Sequence, residues 1–280
     1  MNLNIKKPIL FQILPLILVF YFLYHKAIAA LIYDWSVNPN FSHGFLIPFV
    51  ALYMVWYKKN DLAQISHEPS KAGFFIIVLG MLVHVAGNVG SELFLMRFSM
   101  IITLAGIIIY YFGFKMFMKV LVPVAYLIIM IPIPAILWNK IAFPLQLFSA
   151  NISAQAISLL SIPVFREGNI LHLANTSLEV IDACSGLRSL TSLLALTGAF
   201  AFLAPLSNLK KWILFFSAIP IAVTVNVIRL TITGAMAAWI GPETAHGFLH
   251  DMSGLIIFGA ALILVYIVFT IEMKIENLKG

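Results

Sequence analysis

The chain has 280 residues, 62% of them hydrophobic and only 10% charged, with a mean hydropathy of +1.02. Soluble domains carry about 25% charged residues, so there is too little polar surface here to coat a water-soluble globule. Disorder and collagen-like structure are excluded by the same numbers, and no repeat of fixed period is visible. The formal charge is +6, from 17 Lys+Arg against 11 Asp+Glu, and there is 1 cysteine. That residue, Cys184, forbids an intramolecular disulfide and any Cys₂ or Cys₄ metal site.

The N-terminus is built like a signal peptide: Lys6 and Lys7, an apolar run from Pro8 to Tyr24, then Ala27-Ile28-Ala29. The run is long for that role and stays apolar from Leu31 onward, so it reads as an uncleaved first span. Apolar runs of about 17–25 residues mark membrane-crossing helices. They predict spans near 8–32, 43–57, 72–90, 94–114, 117–138, 187–206, 212–239 and 252–271. Pro132-Ile133-Pro134 ends the fifth. Segment 141–162 differs, because Gln146, Ser149, Asn151, Ser153, Gln155 and Ser158 interleave with apolar residues. Such a pattern suits an interfacial or re-entrant helix packed on protein. Between Pro163 and Ile181, Arg166-Glu167-Gly168-Asn169 supplies turn chemistry between short alternating runs, which predicts a small hairpin ending in a strand over 178–182. The expected fold is an all-α polytopic membrane protein forming one domain over 1–280, with about eight transmembrane helices, an interfacial or re-entrant segment and a small outer hairpin.

Lysines orient the chain. If 141–162 does not cross, Lys6, Lys7, Lys58, Lys59, Lys71, Lys115, Lys119, Lys210, Lys211, Lys274 and Lys279 share one side, leaving only Lys26 and Lys140 opposite. The positive-inside rule then makes that side cytoplasmic, with both termini inside. The positive charge is thus topological, and no nucleic-acid partner is expected. All four arginines, Arg97, Arg166, Arg188 and Arg229, fall in the outer half or outside. Either this is chance, or fixed, fork-shaped cations serve an outer-face site.

Asp182-Ala183-Cys184-Ser185-Gly186-Leu187-Arg188 sits where an outer loop enters the sixth span. A thiol at a helix N-terminus with a cation four residues on has the marks of an activated nucleophile; a buried, inert cysteine is the alternative. Asn226-Val227-Ile228-Arg229 lies within the seventh span. Arg229 stands about 25 Å above Trp212, in the outer part of the bilayer, where an ionised group signals function with a partner or snorkels to the headgroups. Asn226 is one turn below, placed to orient the guanidinium. His250, beside Asp251, opens the last span as a candidate acid–base imidazole or an idle loop histidine. His246 and His250 are spaced for a metal, but there is no third ligand and no H-E-x-x-H, so neither a metal nor another cofactor is expected. Ser42-His43-Gly44 opens the second span outside, as a supporting or substrate-contacting element. A nucleophile, a base and a fixed cation at one face suit acyl transfer.

These residues resemble the exosortase/archaeosortase family of integral membrane enzymes. The resemblance covers nearly the whole chain: Ser42-His43-Gly44 with Pro48, Asp182 through Arg188, Asn226 through Arg229, and His250-Asp251 with Gly254. Singly each is weak; in this order and on one side of the membrane they are specific. The resemblance implies a cysteine protease and transpeptidase acting on C-terminal sorting signals, each a short motif, typically Pro-Glu-Pro, then a transmembrane helix and a basic tail. It implies Cys184 as nucleophile and thioacyl carrier, with Arg229 and His250 completing a triad. Histidine at the last position points to the bacterial branch, in the inner membrane of Gram-negative cells, beside exopolysaccharide export. It also implies a form ending near Gly280 without the soluble extension some members carry. Its partners would be membrane-anchored proteins bearing the signal, and the bilayer. Arg188, Arg229 and Arg166 would suit an acidic residue in the motif. Other readings are an intramembrane serine protease using Ser185 and His250, a transporter with Arg229 in its substrate path, and a non-catalytic scaffold for exopolysaccharide assembly.

Overall fold

The structure, a computed structural model, describes the backbone of residues 7–180, 187–241 and 248–278, and the side chains of 14–180, 187–241 and 254–278. The chain divides into two compact units, Met1–Ile133 and Pro134–Gly280.

Unit 1 begins with α1 (Lys7–Val37) and a 3₁₀ turn, Pro39–Phe45, started by the Asn38 side chain, which accepts from the Asn40 N–H at 3.0 Å. Then come α2 (Ile47–Tyr57), α3 (Lys59–Ala63), α4 (Ala72–Val89), α5 (Leu93–Phe112) and α6 (Phe114–Tyr126), the last tightening into a 3₁₀ turn at Leu127–Met130. The α4–α5 hairpin packs closely because Gly73, Gly80 and Gly87 recur every seven residues along the buried face of α4. A Cβ on Gly87 would meet the Met96 nitrogen at 2.8 Å, and one on Gly106 of α5 would meet the Ile77 nitrogen at 2.7 Å. Small residues let membrane helices approach backbone to backbone, where dispersion replaces the missing hydrophobic drive. A buried polar group binds the third helix: the Tyr24 hydroxyl of α1 lies 2.8 Å from Thr103 Oγ1 of α5. Gly113, with φ +89°, separates α5 from α6 in a conformation that side chains resist.

Unit 2 opens with α7 (Ala135–Leu159) and a three-stranded antiparallel sheet in order β1 (Val164–Glu167), β2 (Ile170–Leu173) and β3 (Ser177–Glu179). Gly168, with φ +61°, makes the first turn, and the register pairs Val164 with Leu173 and Leu171 with Leu178. Helices α8 (Leu187–Leu203), α9 (Asn208–Trp239) and α10 (Phe248–Asn277) follow. Alternation in the strands turns Leu171, Leu173 and Leu178 inward; with Val180, just past β3, they join Ala150 and Ile157 of α7 and Leu230 and Ala235 of α9 in one apolar cluster. A second cluster joins α8, α9 and α10 through Leu193, Leu214, Ala218, Val225, Ala261 and Val265.

Among the described residues, five helices are long and apolar enough to cross a membrane: Leu14–Val37, α4, α5, α9 and Gly254–Asn277 of α10; Phe114–Met130 with Ala135–Leu159 forms one bent pair that would make a sixth. The protein is a multi-pass, mainly helical membrane protein. Helices lie in all eight segments where spans were expected, but eight spans is more than these lengths show. The expected second span, 43–57, begins as a 3₁₀ turn and keeps only 11 residues of α-helix. The expected fifth, 117–138, is interrupted after Met130, where Pro132 and Pro134 deny the helix its N–H donors. The expected separate segment at 141–162 is the body of α7, which starts at Ala135 and runs through Pro144.

Candidate active site

Arg229 and Asn226 lie on the same face of α9, exposed by only 9% and 3%. An arginine snorkelling to headgroups would keep its guanidinium in the interface; here the side chain is enclosed by protein, as expected for an intramembrane cation with a task. Of the polar residues on α7, Gln146, Ser149 and Ser153 are buried, whereas Asn151, Gln155 and Ser158 are exposed. The Ser153 hydroxyl donates to the Val227 carbonyl at 3.3 Å, between Asn226 and Arg229 in sequence. Thr231 donates to the same carbonyl at 2.8 Å. Thr231 is on α9 itself, one turn on, so the grip on this carbonyl from a neighbouring helix is that of Ser153. The i, i+3, i+7 spacing of Gln146, Ser149 and Ser153 was visible in the sequence as a helix face, and it is the polar seam that α7 turns into unit 2.

The sheet brings its last strand to the same helix. Leu178 of β3 and Ile157 of α7 both lie against Gly234, where a Cβ would meet Ile157 Cδ1 at 2.6 Å and Leu178 Cδ1 at 3.6 Å. Val180 follows, fully buried, its N–H donating to the Asn169 carbonyl at 2.9 Å and its carbonyl accepting from Asn169 Nδ2 at 3.2 Å. Asp182, Cys184 and Ser185 lie outside the described residues. The chain resumes at Leu187, buried, and Arg188, exposed, in the first turn of α8. Cys184 is four residues from Val180 and three from Leu187, and four extended residues reach at most about 14 Å.

Helices α8, α9 and α10 alternate in direction, so the start of α8, the end of α9 and the start of α10 share one end of the bundle. Register between α9 and α10 is set by Lys210, which pairs with Glu276 and donates to the Glu272 carbonyl at 3.0 Å, and by Val225, which shares a cluster with Ala261. Stepping along both helices puts residue 257 level with Arg229 and residue 250 about 10 Å further out. His250 and Asp251 belong to the first turn of α10, and their side chains lie outside the described residues, as does His246 altogether.

The remaining arginines have other partners. Arg97, exposed by 2%, pairs with Asp34 of α1 at 2.6 Å inside unit 1. Arg166 is exposed and donates to the Gly168 carbonyl at 2.8 Å, bracing the hairpin turn. Arg97 and Arg166 thus hold structure, while Arg188 stands in the first turn of α8 and Arg229 within α9, both C-terminal to Cys184.

Ser42 and His43 belong to unit 1. Ser42 is exposed and donates to the Pro39 carbonyl at 3.1 Å, closing its own turn. His43 is half-buried with Nδ1 enclosed and lacking a partner; burial pushes its pKa below the usual 6.5, against a smaller opposing effect of its hydrogen bond with the Ile129 backbone. Gly44 is glycine because the Trp35 indole lies on it, held by its own Nε1 bond to the Met130 carbonyl at 2.9 Å. Among the described residues no cluster of three His, Cys, Asp or Glu could hold a metal.

The transmembrane exosortase family (Exosortase_EpsH) matches residues 35–267, most of the chain and across both units. The chain belongs to that family. Membership implies a sorting enzyme for PEP-CTERM proteins, a family of cysteine transpeptidases in general. No solved structure and no protein of curated function matches this exosortase-family chain.

Proposed function

We propose that the protein is a membrane cysteine endopeptidase and transpeptidase that cleaves PEP-CTERM-type C-terminal sorting signals through Cys184, Arg229 and His250. The observation that carries the proposal is the shared packing of β3 and α9. Leu178 and Val180, which lead to the cysteine, occupy the same cluster as Leu230, the residue after the buried Arg229.

The Cys184 thiolate attacks the scissile carbonyl, and the oxyanion that develops is stabilised by the Arg229 guanidinium, oriented by Asn226. Buried, fixed donors are effective because the site excludes water and needs no reorganisation. Collapse of the tetrahedral adduct breaks the C–N bond, leaves the acyl group on sulfur, and sends the proton to the departing amine from His250, steadied by Asp251. A second nucleophile, water or an acceptor group, then attacks the thioester and gives its proton to His250, and the C–S bond breaks to return the Cys184 thiolate. Asp182 and Arg188 flank the nucleophile and support substrate binding; Ser42 and His43 are assigned a supporting role; no cofactor takes part.

The full topology belongs to the same proposal: one integral domain over 1–280, with α2 and α8 completing eight crossings, both termini cytoplasmic and the site at the outer face of a bacterial inner membrane, in sorting linked to exopolysaccharide export. The test is co-expression with a Pro-Glu-Pro-tailed substrate, comparing wild type with Cys184→Ala and Ser185→Ala by substrate size. Cleavage lost only in Cys184→Ala supports the proposal; cleavage retained there removes the thiol from the chemistry.

A further inference from the structure

Unit 1 contains a cavity of about 790 Å³ between α2, α5 and α6, beneath the segment that follows α3. That volume lies within the roughly 300–1,000 Å³ of ligand sites. Its walls are apolar, among them Ala51 and Val55 of α2, Ile108 of α5 and Val120 of α6; the polar lining comes from Ser66 and His67, both exposed.

The charges gather at that polar end. Lys58 Nζ donates to the Lys119 carbonyl at 3.3 Å, bridging the end of α2 to α6 beside Val120. Lys115 Nζ pairs with Glu68 Oε1 at 2.8 Å, and the Ser66 hydroxyl donates to the same oxygen at 3.0 Å. Lys59 sits over the Trp56 ring, 4.4 Å from its centre, an aromatic–cation pair of the kind that marks the headgroup level. Five lysines (Lys58, Lys59, Lys71, Lys115 and Lys119) outnumber Asp61 and Glu68 in the two segments that frame the opening. An apolar chamber with a cationic rim at headgroup depth has the chemistry of an anionic lipid site. A spanning helix, at about 10 Å across, would fill this volume within about two turns, whereas a flexible acyl chain fits it lengthwise.

We propose that this cavity binds an anionic phospholipid, with one acyl chain between α2, α5 and α6 and its phosphate at the ammonium groups of Lys58 and Lys115. The site is separate from the candidate catalytic residues, and its test needs no substrate.

The experiment is native mass spectrometry of the delipidated full-length protein titrated with dioleoyl phosphatidylglycerol or dioleoyl phosphatidylcholine. Two lysines near a headgroup, each contributing about five-fold, predict a preference of about 10–30-fold for the anionic lipid in wild type. Lys58→Gln/Lys115→Gln should bring the two lipids within about two-fold of each other. Val55→Phe should weaken both, because it occupies the chamber. In parallel, phosphatidylglycerol with a diazirine on its acyl chain is cross-linked to wild type and mapped by peptide analysis, a readout independent of whether Val55→Phe folds. Cross-links concentrated on α2, α5 and α6 support the site. Equal affinity of wild type for the two lipids, a preference surviving in the double variant, or cross-links spread evenly over the lipid-facing helices would each overturn it.

Discussion

Removing Asp34 should destabilise the protein more than removing its partner, Arg97. The guanidinium is 2% exposed at the residue level, and the two side chains meet at 2.6 Å with relative exposures of 3% and 31%. Arg97 Nε has no partner among the described residues, so Asp34 supplies the ion pairing that makes the buried cation tolerable. Stranding one member of a buried pair costs about 3–5 kcal/mol; the partial exposure of Asp34 lowers the expectation for Asp34→Ala to about 2–4 kcal/mol. Arginine cannot escape by losing its proton. The carboxylate, with its side chain 31% exposed, can turn to water, so with Arg97→Leu the cost falls to about 1–2 kcal/mol. Replacing both by leucine should land within about 1 kcal/mol of wild type, because neither charge then needs solvation. The assay is reversible unfolding in SDS-containing mixed micelles, followed by tryptophan fluorescence, for all four members of the cycle. Single losses that simply add in the double variant, or a larger loss for Arg97→Leu than for Asp34→Ala, would refute the reasoning.

Arg229→Lys should lower kcat by about 10²-fold or more, since an ammonium cannot reproduce a fork-shaped donor at an oxyanion; single-turnover cleavage of the tailed substrate measures it. Arg166→Ala should leave KM within about two-fold, because a surface change of this kind is worth at most about 0.5 kcal/mol, whereas Arg188→Glu should raise it. The pKa of His43 is depressed by burial from 6.5, so the unfolded chain binds the proton more readily. Its contribution to stability is therefore complete above pH 6.5 and is lost as pH falls through the lower folded value; His43→Gln should flatten the fall in unfolding midpoint between pH 7 and pH 5. Gly80→Leu should drive α4 from α5 at Thr103 and cost about 1–3 kcal/mol in the same micelle titration, with Tyr24→Phe losing far less in that background than in wild type.

Local chemistry was legible wherever one helix or one turn decides it. The Gly168-Asn169 turn, the break at Pro132 and Pro134, and the shared face of Asn226 and Arg229 are each set by residues close in sequence, and the structure has all of them. What escaped was tertiary. Arg97 announced its cost but not its partner, because Asp34 is 63 residues away on another helix. Three glycines seven residues apart on α4 spell a close helix contact only once α5 is known to be the neighbour. The start of α7 at Ala135 was hidden too, and the helix runs through Pro144; in a membrane protein, neighbouring groups satisfy the carbonyl that proline frees. The expected span count goes beyond what the helix lengths show for a related reason. Hydropathy sums residues without regard to where a helix starts, so the 3₁₀ turn at Pro39–Phe45 was absorbed into an apparent second span.

The small sheet is where fold and proposed chemistry meet. A short hairpin in a helical membrane protein has little core of its own, and two strands alone are marginal in water. Here the hairpin borrows its core from α7 and α9: Leu171, Leu178 and Val180 share one cluster with Ile157 and Leu230. That dependence fixes the approach to Cys184, because Val180 is hydrogen-bonded through both its N–H and its carbonyl to Asn169. The strand therefore cannot slide along α9 without breaking the turn that Arg166 closes. Ser153 of α7 holds the α9 backbone at the Val227 carbonyl. The strand that precedes Cys184 and the Arg229 cation are in this way referred to a single helix, and the proposed catalytic pairing of Cys184 with Arg229 needs that common reference more than it needs either residue's own sequence neighbourhood.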